Sequence, residues 1–429
     1  MMKNKASLLV LCLLAALLAG CQTPVRLMPT PVKFTTGEID PFQSGGPLAQ
    51  GNEVPVLYAT NRGLLIDVPQ PIYTIFPSER LRMGVAHVRI GDEKLSWEEL
   101  HALSTSADAG ERPIVKLEKL EPMATLGPDD KVKTTPEAQA FFAYVNKALA
   151  ASPNSELVVY VHGANNVVPR AAAQASQFRH FTGRRMVVLS FIWPSAGSFL
   201  SYATDVRNAA ASAAPFARLM ELLAENTKAS QIDVLAYSAG AQVASPGLAL
   251  LGVARDGESR VALRQRLRLG QVYFAAPDVD TRAFVEDLRG YADVAARVSV
   301  AANLNDSVLV FARIAGGASR AGRPNPTELS ESQTRFLIDA TKTLDFDLLK
   351  VDPNDIPGLP RRSHTFWYDD PWVSSDVVAR FLFNASPAQR GLEAQAGSEG
   401  LRYWTFPPDF DRRVIDLVRR IAPPQKGAE

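Results

Sequence analysis

Cysteine is almost absent from these 429 residues: Cys12 and Cys21 are the only two. Beyond residue 21 there is therefore no thiol for a disulfide framework, a CxxC site or a cysteine nucleophile. Charge of one sign is lacking too, with 46 basic against 45 acidic residues, which removes any global electrostatic case for a nucleic-acid partner. The N-terminal apolar run falls short of the roughly 20 residues that a membrane-spanning helix needs. No histidine/carboxylate cluster at metal-ligand spacing, no P-loop and no dinucleotide glycine fingerprint appears, so no metal and no cofactor is expected. Internal repeats at solenoid periods are also missing.

What is present begins with a leader. "MMKNK" is basic, "ASLLVLCLLAALLAG" is apolar, and Cys21 follows, an arrangement that reads as a signal peptide over 1–20. Leu18-Ala19-Gly20-Cys21 resembles the bacterial lipobox, in which the cysteine becomes the acylated first residue of the mature chain. Gln22 is not the aspartate associated with inner-membrane retention, so the expectation is a lipid anchor on the periplasmic face of the outer membrane. Residues 21–53, rich in Pro, Gly and polar side chains, read as a lipidated tether.

At 46% apolar residues the remainder has the composition of a globular protein. It reads as one domain over 54–422, with a strand-containing part at 54–150, a core at 151–385 and a helical extension at 386–422. In the core, "LVVYV", "MVVLSFI", "IDVLA", "QVYFAA" and "RVSVAA" are short β-rich runs without polar alternation, as expected of parallel strands buried on both faces. Between them "AAPFARLMELLAEN" places Phe216, Leu219, Met220 and Leu223 on one helical face. Strands alternating with helices imply an α/β fold with a mostly parallel, doubly wound sheet flanked by helices. Two loops, 315–330 and 351–362, are long and breaker-rich, and one of them is expected to border the active site.

One buried strand, "VLAYSAGAQV", ends on a serine. Ser238 sits where strand gives way to a helix of small residues, the setting of a nucleophile elbow. Such a turn brings strand and helix so close that the positions two before and two after the serine must be small. Gly240 meets that need, and Ala236 adds only a methyl group. The triad order that goes with such an elbow is serine, then an acid and, last in the chain, a histidine. Of five histidines, His87, His101, His162 and His180 precede Ser238, leaving His364 as the base. For the acid, Asp306 after "RVSVAA" is favoured, with Asp278 and Asp280 after the preceding strand as alternatives. His162-Gly163 ends an earlier strand where this fold places an oxyanion loop, so amides near Gly163, Ala164 and Ala239 are candidates to face a developing oxyanion. His162 itself reads as a packed loop residue.

With these residues in place, "VLYATNRG", "VVYVHGANN", "LSFIWPSAGSFLSYATDVRNA", "VLAYSAGAQV", "AAPDVD", "NLNDSVL" and "SHTFWY" together resemble the bacterial esterase/lipase-like α/β-hydrolase family of unknown function. The elbow of that family usually reads H-S-M-G, where this chain has Tyr237-Ser238-Ala239-Gly240. The resemblance implies an α/β-hydrolase fold and a serine hydrolase for an acyl-ester small molecule or lipid, without metal or cofactor. Acyl transfer by the same triad, or a non-catalytic envelope lipoprotein on a hydrolase scaffold, are the alternatives.

Overall fold

A computed structural model of the chain describes residues 24–35, 40–42, 50–65, 72–107, 110–397 and 400–421. The leader, Cys21 and the last residues of the chain lie outside them. In chain order the elements are β1 (Val56–Leu65), β2 (Ile72–Ile90), α1 (Trp97–Thr105), β3 (Val115–Leu126), α2 (Pro136–Ala151), β4 (Glu156–Val161), α3 (Val168–Phe181), β5 (Val187–Phe191), α4 (Tyr202–Asn226) and β6 (Gln231–Tyr237). There follow α5 (Ala241–Leu251), α6 (Arg260–Leu267), β7 (Leu269–Ala275), α7 (Thr281–Tyr291), β8 (Arg297–Ala302), α8 (Ser307–Gly316), α9 (Glu331–Thr343), β9 (Phe346–Lys350), α10 (Phe366–Asp369), α11 (Pro371–Phe383), β10 (Glu393–Ala396), β11 (Arg402–Thr405) and α12 (Phe410–Ile421).

Among the described residues the eleven strands form one sheet in the order β10-β11-β9-β8-β7-β6-β4-β5-β1-β2-β3. It is parallel through its centre, with β2 and β10 reversed against their neighbours. Successive side chains of a strand point to opposite faces, and β4 shows the result. Leu157, Val159 and Val161 enter one buried cluster with Phe216, Leu219 and Leu223 of α4. Val158 and Tyr160 enter the other, with Phe178 of α3 and Phe381 of α11. Both faces are covered, which is why these strands are continuously apolar. The sheet is that of an α/β hydrolase.

Two expectations fail. Residues 24–35 are not a free tether: Leu27, Met28 and Phe34 are buried. Leu27 N donates to Pro113 O and Val115 N to Val25 O, the two bonds of one antiparallel bridge between Arg26 and Ile114 at the start of β3. Met28 N donates to Gln177 Oε1 on α3, and Phe42 stacks edge-on against Trp97 at 5.2 Å. Prolines confine regular structure here to that bridge and a 3-10 turn over Val32–Phe34, but the apolar residues between them still find a surface to cover. The extension at 386–422 is not wholly helical either. The β10–β11 hairpin joins the sheet edge at β9 before α12 begins, where two four-residue strands were too short for periodicity to reveal. Among the described residues, no helix is long and apolar enough to cross a membrane.

Candidate active site

The parallel strands all end on one side of the sheet, and the loops after β4, β5, β6, β7, β8 and β9 meet there. Ser238 follows β6 with a φ of +52°, a left-handed conformation that an L-residue adopts only where its surroundings impose it. The surroundings are explicit. A Cβ at Gly240 would stand 2.4 Å from Val161 O and 2.7 Å from His162 O, so only glycine lets the turn pass under the end of β4. A Cβ at Gly163 would stand 2.9 Å from Ser238 Cβ, which places the 163–166 loop directly on the serine. Ala236, paired with Val161 and Phe274 in mid-sheet, has room for its methyl group. The helix beyond continues to Leu251 through Pro246, and Gly247 lets α4 approach, since a Cβ there would meet Ala213 O at 2.9 Å.

His364 comes from the loop after β9. Its Nε2 lies 2.8 Å from Ser238 Oγ and its Nδ1 2.6 Å from Asp306 Oδ2. Asp306 is fully buried at the start of α8, where Oδ1 already accepts the amides of Val308 and Leu309 as the helix N-cap. Its second oxygen is left to accept Nδ1–H, and that tautomer turns the Nε2 lone pair toward the serine hydroxyl. Asn303 joins the two loops by donating to Ser363 O at 2.8 Å. Tyr237, where the resembling family has histidine, packs its ring 5.4 Å from that of His364 and leans on Trp367 and Tyr368.

Neither of the other two acids is the carboxylate that accepts from His364. Asp278 is buried, accepts the Tyr202 hydroxyl at 2.8 Å and faces Arg320 at 3.3 Å, while its own amide donates to Ser238 O. Burial pushes its carboxyl up from the ordinary range, opposed by Arg320. Asp280 caps α7 by accepting from Arg282 N and Ala283 N. Ala164 follows Gly163 on its loop, and Ala239 opens the helical turn after Ser238, where backbone amides have no partner within the helix. His162 lies fully buried, stacked on Trp193 at 5.1 Å, with Nδ1 donating to Gly163 O. Burial, with the Arg62 charge nearby, holds its imidazole down at about 3, so it stays neutral.

A supporting network escaped the sequence reading. Asp205 accepts from Asn165 N and Ser195 Oγ with one oxygen and from Ala196 N with the other. Ser195 Oγ in turn accepts from Asn166 N, and Arg62 donates to both Asn166 O and Ser195 O at 3.0 Å. Together they clamp the 163–166 loop that rests on Ser238. The signal was in view, since "TNRG", "WPS" and Asp205 were among the resembling segments, but nothing in their spacing says that they converge. Both long loops also border the site: 351–362 leads into His364, and Arg320 of the other faces Asp278. Among the described residues no group of His, Cys, Asp and Glu is placed to hold a metal ion.

A mostly parallel sheet with an elbow serine at its carboxyl end defines the class, an α/β hydrolase. The chain belongs to the family described as "Alpha/beta hydrolase of unknown function (DUF900)", whose model matches residues 137–357. That stretch includes Gly163, Ser238, Asp278 and Asp306 and ends before His364. No curated protein and no solved structure gives a significant match.

Proposed function

We propose that the protein is a membrane-anchored serine hydrolase that cleaves a carboxylic ester or related acyl bond. The observation that carries this reading is the continuous hydrogen-bonded chain from Ser238 Oγ through both nitrogens of His364 to buried Asp306. Ser238 Oγ attacks the acyl carbon while its proton passes to Nε2, and the carbonyl electron pair moves to oxygen. The amides around Gly163, Ala164 and Ala239 take up that oxyanion. Collapse expels the alcohol, which leaves with the Nε2 proton, and water repeats the sequence on the acyl-enzyme. Asp306 keeps Nδ1 protonated and stabilises the imidazolium. Acylation of Cys21 holds the enzyme at the periplasmic face of the outer membrane.

The test is labelling by a fluorophosphonate probe together with turnover of acyl esters of graded chain length. Wild type is expected to label and turn over, and Ser238→Ala to do neither while keeping its melting temperature. Equal labelling of the alanine variant would refute Ser238 as nucleophile. Product analysis in the presence of alcohol acceptors separates hydrolysis from acyl transfer.

A further inference from the structure

The packed N-terminal segment fixes where a lipid on Cys21 has to sit. Val25 and Leu27 bridge to residues 113–115, and Val115 pairs with Ile90 at the far end of β2. β2 runs against β1, so Ile90 lies at the end of the sheet where the parallel strands begin, opposite the end that carries Ser238. The register measures the separation. Ala236 is level with Val161, Phe191, Ala59 and Met83 across consecutive pairs, and Met83 is seven residues along β2 from Ile90. At roughly 3.3 Å per residue this is about 23 Å along the strands. β3 and β6 are also five strand spacings apart, about 24 Å across the sheet. Three chain steps join Cys21 to Pro24, and these span at most about 11 Å.

We infer that the lipid anchor and Ser238 lie at opposite ends of the sheet on a leash too short to reverse them, so that the substrates are acyl esters not resident in the anchoring bilayer. If the catalytic end faced that bilayer, Pro24, level with Arg89 across the antiparallel bridge, would stand about 20 Å above the level of Ala236, nearly twice the leash length. If the molecule lay on its β3 edge, Ser238 would still stand about 24 Å away across the sheet. The ester therefore arrives dissolved or is presented by a facing surface. This rests on the proposed acylation of Cys21 and on the hydrolase reading.

The experiment uses the acylated mature protein in lipid vesicles with three substrates: a dissolved short-chain ester, a fluorogenic acyl-ester lipid in the same vesicles, and that lipid in separate vesicles. The dissolved ester should be cleaved at the same rate by the anchored protein and by unanchored Cys21→Ser. The lipid in the host vesicles should be cleaved at least tenfold more slowly than the dissolved ester. Insertion of 30 Gly/Ser residues between Gln22 and Thr23, which reach roughly 30 Å, should raise the host-vesicle rate severalfold. Cleavage in separate vesicles identifies the facing surface as the source, and cleavage of the dissolved ester alone identifies the dissolved source. Host-vesicle lipid cleaved by the unextended protein within tenfold of the dissolved ester, and as fast as by the extended variant, overturns the inference. Fluorophores on Glu93→Cys and Leu200→Cys, both exposed, read the geometry without activity. A headgroup quencher should dim the first and spare the second, and the reverse pattern overturns the inference even where no ester is cleaved.

Discussion

Asp306 performs two tasks that a single substitution can separate. One oxygen caps α8 and the other meets His364. Asparagine caps a helix as well as aspartate does but cannot hold Nδ1 protonated or face an imidazolium. Asp306→Asn is therefore expected to leave the melting temperature nearly unchanged and to lower kcat by about 10³-fold or more, with KM little altered. Asp278→Asn should do the reverse: the buried Arg320 loses its carboxylate partner, the melting temperature falls by several degrees, and most activity stays. Asp280→Asn keeps its cap on α7 and should change neither. Steady-state kinetics beside thermal melts, with His364→Ala as the scale for a broken triad, reads all three. An Asp278→Asn variant as inactive as His364→Ala would move the acid one strand earlier.

The elements that hold the fold together include one with little regular structure, a single antiparallel bridge at Arg26 and a 3-10 turn over Val32–Phe34. The 24–35 segment lays Leu27, Met28 and Phe34 across α3 and α11, where Lys33 N donates to Ser375 Oγ. Phe34 is 1% exposed, and truncating a phenylalanine so buried costs about 3–5 kcal/mol through lost transfer energy and the cavity left behind. Phe34→Ala should lower the denaturant midpoint accordingly, whereas the same change in a solvated tether would leave it where it was. Equilibrium unfolding in urea decides between the two. The clamp formed by Asp205, Ser195 and Arg62 works in the same way, holding the 163–166 loop by contacts from β1, the loop after β5 and the first turn of α4.

At the scale of the whole molecule, the two ends of the sheet are chemically different. The end opposite Ser238 carries a buried polar network in which Asp233 Oδ1 accepts from Gln271 N at 2.6 Å and Gln231 Nε2 at 2.7 Å, close to Glu156 and Asn384. Burial pushes the Asp233 carboxyl up to about 8. An unfolded aspartate loses its proton near 3.9. Between these values the folded chain holds a proton that the unfolded chain has released, so this group's contribution to stability is full below about pH 4 and is lost as pH rises to about 8. Asp233→Asn, which can keep both accepted hydrogen bonds, removes that titration. The variant should melt several degrees above wild type at pH 9 and close to it at pH 4, as a pH series of thermal melts will show.

Local pattern carried much of this protein. Strands buried on both faces have to be apolar throughout, a tight strand-to-helix turn has to be flanked by small residues, and only one histidine follows Ser238, so the α/β class and the candidate residues could be picked out one by one. What local pattern could not carry is every relation between distant parts of the chain. His364 meets partners 58 and 126 residues away, and the choice among Asp278, Asp280 and Asp306 depends on which loop reaches it. The packing of 24–35, the late hairpin on β9 and the convergence of Arg62, Ser195 and Asp205 likewise arise from the closing of the sheet. A residue's neighbours along the chain constrain its conformation, whereas its partners across a fold are set by strand order and register, which no window of sequence contains.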